Sequence, residues 1–109
     1  MKSNTVAILV GRKCHPDQET ELIKWYKEHH VPDLMKFKGL KRCTLLKLLK
    51  PEEKYPDYVL TLEFNNQKDY EDYEVFLVEG RKKGDRVRLN IQAEQVWRVP
   101  YKTVDTWEQ

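Results

Sequence analysis

The sequence predicts an α+β domain with elements in the order β-α-β-β-α-β. Three observations carry that expectation. Tyr58 to Phe64 alternates strictly, with Tyr58, Leu60, Leu62 and Phe64 on one face and Val59, Thr61 and Glu63 on the other, the period-2 pattern of a half-buried strand. Two segments, around Leu22–His30 and Asp69–Lys83, place apolar residues at helical spacing. A Val-, Ile- and Leu-rich run stands near the start of the chain and a second β-like run, Val96 to Val104, near its end.

The first strand is expected over Thr5 to Gly11. Cys14-His15-Pro16-Asp17 reads as a turn into a helix. Pro16 suits the first helical position, and Asp17 and Glu19 suit its positive end. The apolar stripe is Leu22, Ile23, Trp25 and Tyr26, continued by His29 and His30. At about 100° per residue, His29 falls near Leu22 and His30 between Tyr26 and Ile23, so both are expected on or beside the core face. Pro32 disfavours helical geometry at Val31, which predicts a break there and a short continuation over Asp33 to Phe37 at a new angle. Gly39 then turns the chain.

Leu40 to Leu49 alternates and reads as the second strand. Lys50 to Asp57 is a charged loop before the third. Asn65 or Asn66 caps the second long helix, whose first turns are acidic and whose end is basic. Tyr70, Tyr73, Phe76 and Leu77 form its buried stripe. Val87-Leu89-Ile91 reads as a strand, with a short helix as the alternative. Val96 to Val104 is the last β-like run, and Pro100 marks it as an edge strand. This order is the ferredoxin-like split βαβ arrangement, an antiparallel sheet with both helices on one face. The open face calls for a cover, and a second copy of the same sheet is the expected one.

The chain has 109 residues, enough for one domain over residues 1–109. It is 39% hydrophobic and 35% charged, and its three Trp, six Tyr and three Phe concentrate the apolar area in few side chains. This suits a domain that completes its burial by forming a homodimer. A net charge of +2 implies no attraction to polyanions, so no nucleic-acid partner is expected. No apolar run reaches membrane-spanning length, and no signal peptide is read before the first strand. Two cysteines, Cys14 and Cys43, make no disulfide framework. The expected compartment is the cytoplasm.

The segment Trp25, Tyr26, His30-Val31-Pro32, Leu34 and Gly39-Leu40 resembles the dimeric α/β-barrel superfamily, and within it the EthD-like proteins. Lys38 stands where that family often has proline. The resemblance covers roughly residues 4 to 101. It implies a cavity for a small hydrophobic or aromatic ligand, no cofactor, and a histidine matching His30 as a candidate for proton transfer. The strand-one Asn with a partnered Trp-His set found in haem-degrading relatives is not read here.

His30 has an intrinsic pKa suited to general acid/base work, and its bland alternative is a helix-end residue complementing the dipole. Glu63 is the second candidate, as an orienting carboxylate or a base, against an interface or surface ion pair. Trp25, Tyr26, Tyr58, Thr61 and Trp97 are the candidate ligand-binding residues. Tyr26 or Tyr58 would donate to a developing oxyanion. Trp25, Tyr26, Trp97 and Tyr101 read as an aromatic pocket or as plain core. Arg86, Arg88 and Arg98 read as carboxylate binders or as a solvated strand face. Cys14, His15 and His30 match no recognised metal spacing, so no metal is expected. No phosphate loop, nucleophile elbow or dinucleotide fingerprint occurs. The expected activity is isomerisation, cyclisation or dehydration of a carbonyl compound or lactone. The alternatives are a non-catalytic binding module and a cofactor-free monooxygenase.

Overall fold

The computed structural model describes residues 4–83 and 93–109. Four strands, β1 (Val6–Cys14), β2 (Leu40–Lys47), β3 (Tyr58–Phe64) and β4 (Ala93–Lys102), form one sheet in the order β2-β3-β1-β4. Every pairing is antiparallel. The helical segments are α1 (Glu19–Trp25), α2 (Val31–Leu34) and α3 (Gln67–Lys83). They cover one face of the sheet, which is the ferredoxin-like arrangement the sequence predicts. The expected element over Val87–Ile91, with Arg86 and Arg88, lies outside the described residues.

The core sits between sheet and helices. Ile8 and Val10 from β1, and Tyr58, Leu60, Leu62 and Phe64 from β3, point into it. Leu22, Tyr26 and Leu34 meet them from the first helical segment, and Tyr73 and Leu77 from α3. Phe64 is fully buried and packs against Phe37, Tyr70 and Tyr73. Asn66 caps α3: its Oδ1 accepts the Asp69 N–H at 2.8 Å. β4 is an edge strand, the place in a sheet where Pro100 is tolerated. No helix among the described residues is long and apolar enough to cross a membrane.

Several local expectations are corrected. β1 runs on to Cys14, and Pro16–Gln18 forms a 3₁₀ turn before α1. β2 ends at Lys47, and Leu49 is exposed. The largest correction concerns Pro32. Val31 keeps helical angles (φ −65°, ψ −45°), and the helical path continues to Leu34. A π turn over Tyr26–His30 makes this tolerable, with the Val31 N–H bonded to the Tyr26 carbonyl. Proline lacks an N–H and its ring crowds the carbonyl four residues back. Widening the preceding turn to i→i+5 spacing accommodates both effects.

The π turn also changes which histidine faces inward. Each residue in it advances less around the axis than in an α-helix. His30 is therefore brought into line with Leu22 and Leu34, while His29 falls to the solvent side and is exposed. The expectation that both histidines border the core holds for His30 alone.

Two register shifts matter. In β2 the pairing with β3 shifts between Leu40 and Arg42. In the β1–β4 ladder, Gly11 pairs with Trp97 but Arg12 pairs with Gln95, so Val96 is extra. Trp97 packs over Gly11 beside the buried Pro56. A Cβ at position 11 would lie 2.9 Å from Pro56 Cγ and 3.0 Å from Trp97 Cε2. Gly11→Ala is accordingly expected to destabilise the fold by about 1–3 kcal/mol, the usual cost of overpacking. Denaturant unfolding checks this, and an unchanged or raised midpoint would show that Trp97 and Pro56 shift freely.

Candidate functional site

A cavity of about 150 Å³ lies between the sheet and the helices, with His30 in its lining. Three elements build it. The first helical segment contributes His30 and Leu34, which share one side with the buried Leu22 and Tyr26. α3 contributes Tyr73, Leu77 and Arg81 at i, i+4 and i+8, one row along its axis. The sheet contributes Val10 and Arg12 from β1, Leu60 and Leu62 from β3, and Gln95 and Arg98 from β4. The floor is apolar and the rim is polar and basic, the usual make-up of a small-molecule site.

The bulge in β4 matters here. Residues directly opposite in an antiparallel ladder point to the same face. Val10 pairs with Arg98, and past the bulge Arg12 pairs with Gln95. The inserted Val96 thus aims Gln95 into the cavity beside Arg12 and Arg98, a common use of a bulge near a site.

Trp25 holds two of these groups. The His30 imidazole stacks on its ring at 4.2 Å and 14°. The Arg12 guanidinium carbon lies 5.4 Å from the ring centroid, a cation–π distance. Tyr26 meets His30 edge-on at 5.8 Å. Tyr26 is 1% exposed, and its buried hydroxyl lies against Arg12 without full hydrogen-bond geometry. Burial pushes its pKa up, and the neighbouring Arg12 opposes part of that rise. The phenol therefore keeps its proton near neutral pH. Arg12 Nε is buried without an acceptor. Arg98 donates to Glu74 Oε1 at 2.6 Å and is neutralised by it.

The residues singled out in the sequence divide between two faces. Trp25, Tyr26, Tyr58 and His30 stand on the helix side. Thr61, Glu63 and Trp97 stand on the open side, because they alternate with helix-facing neighbours along β3 and β4. Glu63 forms an ion pair with Arg42 at 3.7 Å. The sheet separates it from His30, so the two do not meet within one chain. Tyr101 is also on the open face, which divides the expected four-residue aromatic pocket. Tyr58 lies among the helix-side residues, but its hydroxyl donates to Glu19. Lys47 approaches the same carboxylate at 2.5 Å, and these two contacts hold Glu19 below the usual carboxylate range. That hydroxyl is engaged at the start of α1, away from His30.

Cys14 and His15 line a separate hollow with Glu19, Lys47, Asp57 and Tyr58. A wider, open depression of about 540 Å³ adjoins it at the Cys14 end of β1. Neither contains His30. Burial pushes the Cys43 thiol up to about 11, with Glu63 adding to the rise, and burial also raises Cys14. Both thiols stay protonated near neutral pH and are poor nucleophiles. Among the described residues no three potential metal ligands converge.

Arg12 and Gln95 were not legible as site residues. A glycine inside a strand, Gly11, was the available hint of a bulge. Nothing local in the sequence gives the pairing register that brings β4 against Arg12.

No curated protein matches the chain. Among solved structures it is similar to a protein from Shewanella loihica PV-4 that is provisionally named a monooxygenase. That match has 12% identity and a TM-score of 0.65, and covers 97% of this chain and 99% of the other. It is also similar to HapK from Hahella chejuensis, with 11% identity, a TM-score of 0.61, and coverage of 95% and 97%. At these identities the likeness is one of fold. The family model for a domain of unknown function, DUF4286, matches residues 8–80. That span runs from β1 into α3 and carries Arg12, Trp25, Tyr26 and His30, and the chain belongs to that family.

Proposed function

We propose that this chain is a homodimeric, EthD-like α/β-barrel domain over residues 1–109 that binds a small hydrophobic or aromatic molecule. Its binding site is the cavity beneath His30. The activity is cofactor-independent isomerisation, cyclisation or dehydration of a carbonyl compound or lactone. The observation that carries this reading is the placement of His30. Its imidazole is fixed by stacking on Trp25 and lines a cavity with an apolar floor and a cationic wall.

That arrangement suits proton transfer next to a carbonyl. The imidazole takes a proton from carbon and returns it at another position of the same molecule. Arg12, on the sheet wall, opposes the negative charge that develops on the carbonyl oxygen in between. Trp25 acts as a positioning residue for both groups. Thr61, Glu63 and Trp97 belong to the other face and would line the barrel interior of the dimer.

A screen of lactones, phenols and short polyketides tests the reading, with binding located by NMR. Ligands that perturb Trp25 and His30 support it. Ligands that bind only on the open face would move the site to the barrel interior. A second reading, cofactor-free oxygenation of an electron-rich phenol, is favoured by the similarity to the Shewanella protein. Oxygen consumption on adding such a phenol separates the two.

Pro32 offers a geometric test. Pro32→Ala restores an N–H and removes the ring that requires the widened turn. The Tyr26–His30 segment is expected to rewind to an α-helix and swing His30 off the cavity axis. Ligand affinity should fall while stability changes by about 1 kcal/mol or less. A crystal structure of the variant and a titration check this. Retention of the π turn with unchanged affinity would show that Pro32 does not set it.

A further inference from the structure

We propose that the ligand of the His30 cavity is a small organic acid, an apolar or aromatic body whose carboxylate docks on the Arg12 guanidinium. The inference rests on the reading of this cavity as the binding site and adds the charge of what binds there. Its basis is the balance of charge in the lining. Arg12, Arg98 and Arg81 are the cationic side chains of the cavity, and its lining contains no carboxylate. Glu74, beside it, neutralises Arg98. Among the described residues, no carboxylate pairs with Arg12 or Arg81.

Arg12 is the central group. It extends from β1 onto the face of Trp25, and its Nε is buried without an acceptor. The Tyr26 hydroxyl is buried against the same guanidinium. Buried polar groups are nearly always satisfied, and orphans concentrate where a ligand or a water completes the set. A buried guanidinium Nε without an acceptor, on a side chain that no carboxylate neutralises among the described residues, points to an acceptor of negative charge.

The shape narrows the class. A guanidinium presents parallel donors that match the two oxygens of a planar carboxylate. Gln95, opposite Arg12 in the β1–β4 ladder, adds an amide donor on the same wall. Val10, Leu34, Leu60, Leu62 and Leu77 supply the apolar floor. A volume of about 150 Å³ suits a compact ring or short chain carrying one acid group.

The test compares benzoate and 1-naphthoate with their methyl esters on the full chain, following the Trp25 indole and His30 imidazole signals by NMR. The acids are expected to move both signals and to bind roughly 10- to 100-fold tighter than the esters, the range of a charge-assisted hydrogen-bond pair. Arg12→Gln should erase that preference. Because Arg12 packs on Trp25, its replacement can disturb the site itself. Glu74→Gln supplies an arm that leaves this packing alone: it frees Arg98 and should raise affinity for the acids without raising that for the esters. Esters binding at Trp25 and His30 as tightly as the acids would leave the cavity reading standing and overturn the carboxylate. If neither acids nor esters move these signals, the cavity reading falls as well. Unchanged acid affinity in Glu74→Gln, or inorganic phosphate binding as tightly as benzoate, also counts against the proposal.

Discussion

Replacing His30 by alanine is expected to lower turnover of an identified substrate by roughly 10²–10⁴-fold, the contribution of a positioned proton donor or acceptor. The π turn aims His30 at the cavity, Trp25 stacks on the imidazole, and Leu34 follows on the same side. His29, one residue earlier, is exposed, so His29→Ala should leave turnover nearly unchanged. The pair of variants separates catalysis from general damage to the helix. Activity should also follow an ionisation that disappears in His30→Ala. Full activity and an unchanged pH profile in both variants would make His30 a packing residue of the helix end. His30→Gln keeps a polar side chain of similar reach and guards against a packing effect: it should be as inactive as His30→Ala while restoring any lost stability.

The contrast between His30 and Glu63 shows what a sequence can and cannot tell here. Strict alternation over Tyr58–Phe64 assigns each residue to a face, and the structure agrees at every position. That alternation already set Glu63 opposite the helix-facing residues, whereas His30 lies on a helix covering the other side. Pairing the two as catalytic partners merged two faces that the sheet keeps apart. The edge position of β4 was legible because Pro100 cannot donate to a ladder. The π turn was not, because helical phase at a fixed angle per residue assumes uniform winding, and the effect of a proline reaches back several residues. Arg98 was open to a reading as a carboxylate binder, but the wall it forms with Arg12 and Gln95 was not legible. It comes from two strands far apart in sequence, joined in a register that a single bulge sets.

The open face of the sheet leads to the second large effect. Leu9 stands at its centre, opposite Thr61 on β3 and Val99 on β4. Leu46 and Tyr101 on the same face are 50% and 57% exposed in the isolated chain. Apolar side chains spread over one face of a four-stranded sheet, with the helices on the other, make the surface that the proposed homodimer covers. Leu9→Arg should leave the single chain folded, at a cost of about 1 kcal/mol or less, because the new side chain can reach water. In the dimer the same guanidinium would be buried without a partner, at a cost of several kcal/mol. Dissociation should therefore become easier by on the order of 10³-fold. Light scattering and sedimentation across micromolar concentrations read this directly. A wild-type chain that is monomeric at these concentrations, with cooperative unfolding, would remove the dimer. A Leu9→Arg chain that dimerises as well as the wild type would move the interface off this face. It would also take Thr61, Glu63 and Trp97 out of any shared interior, leaving the His30 cavity as a site that one chain completes alone.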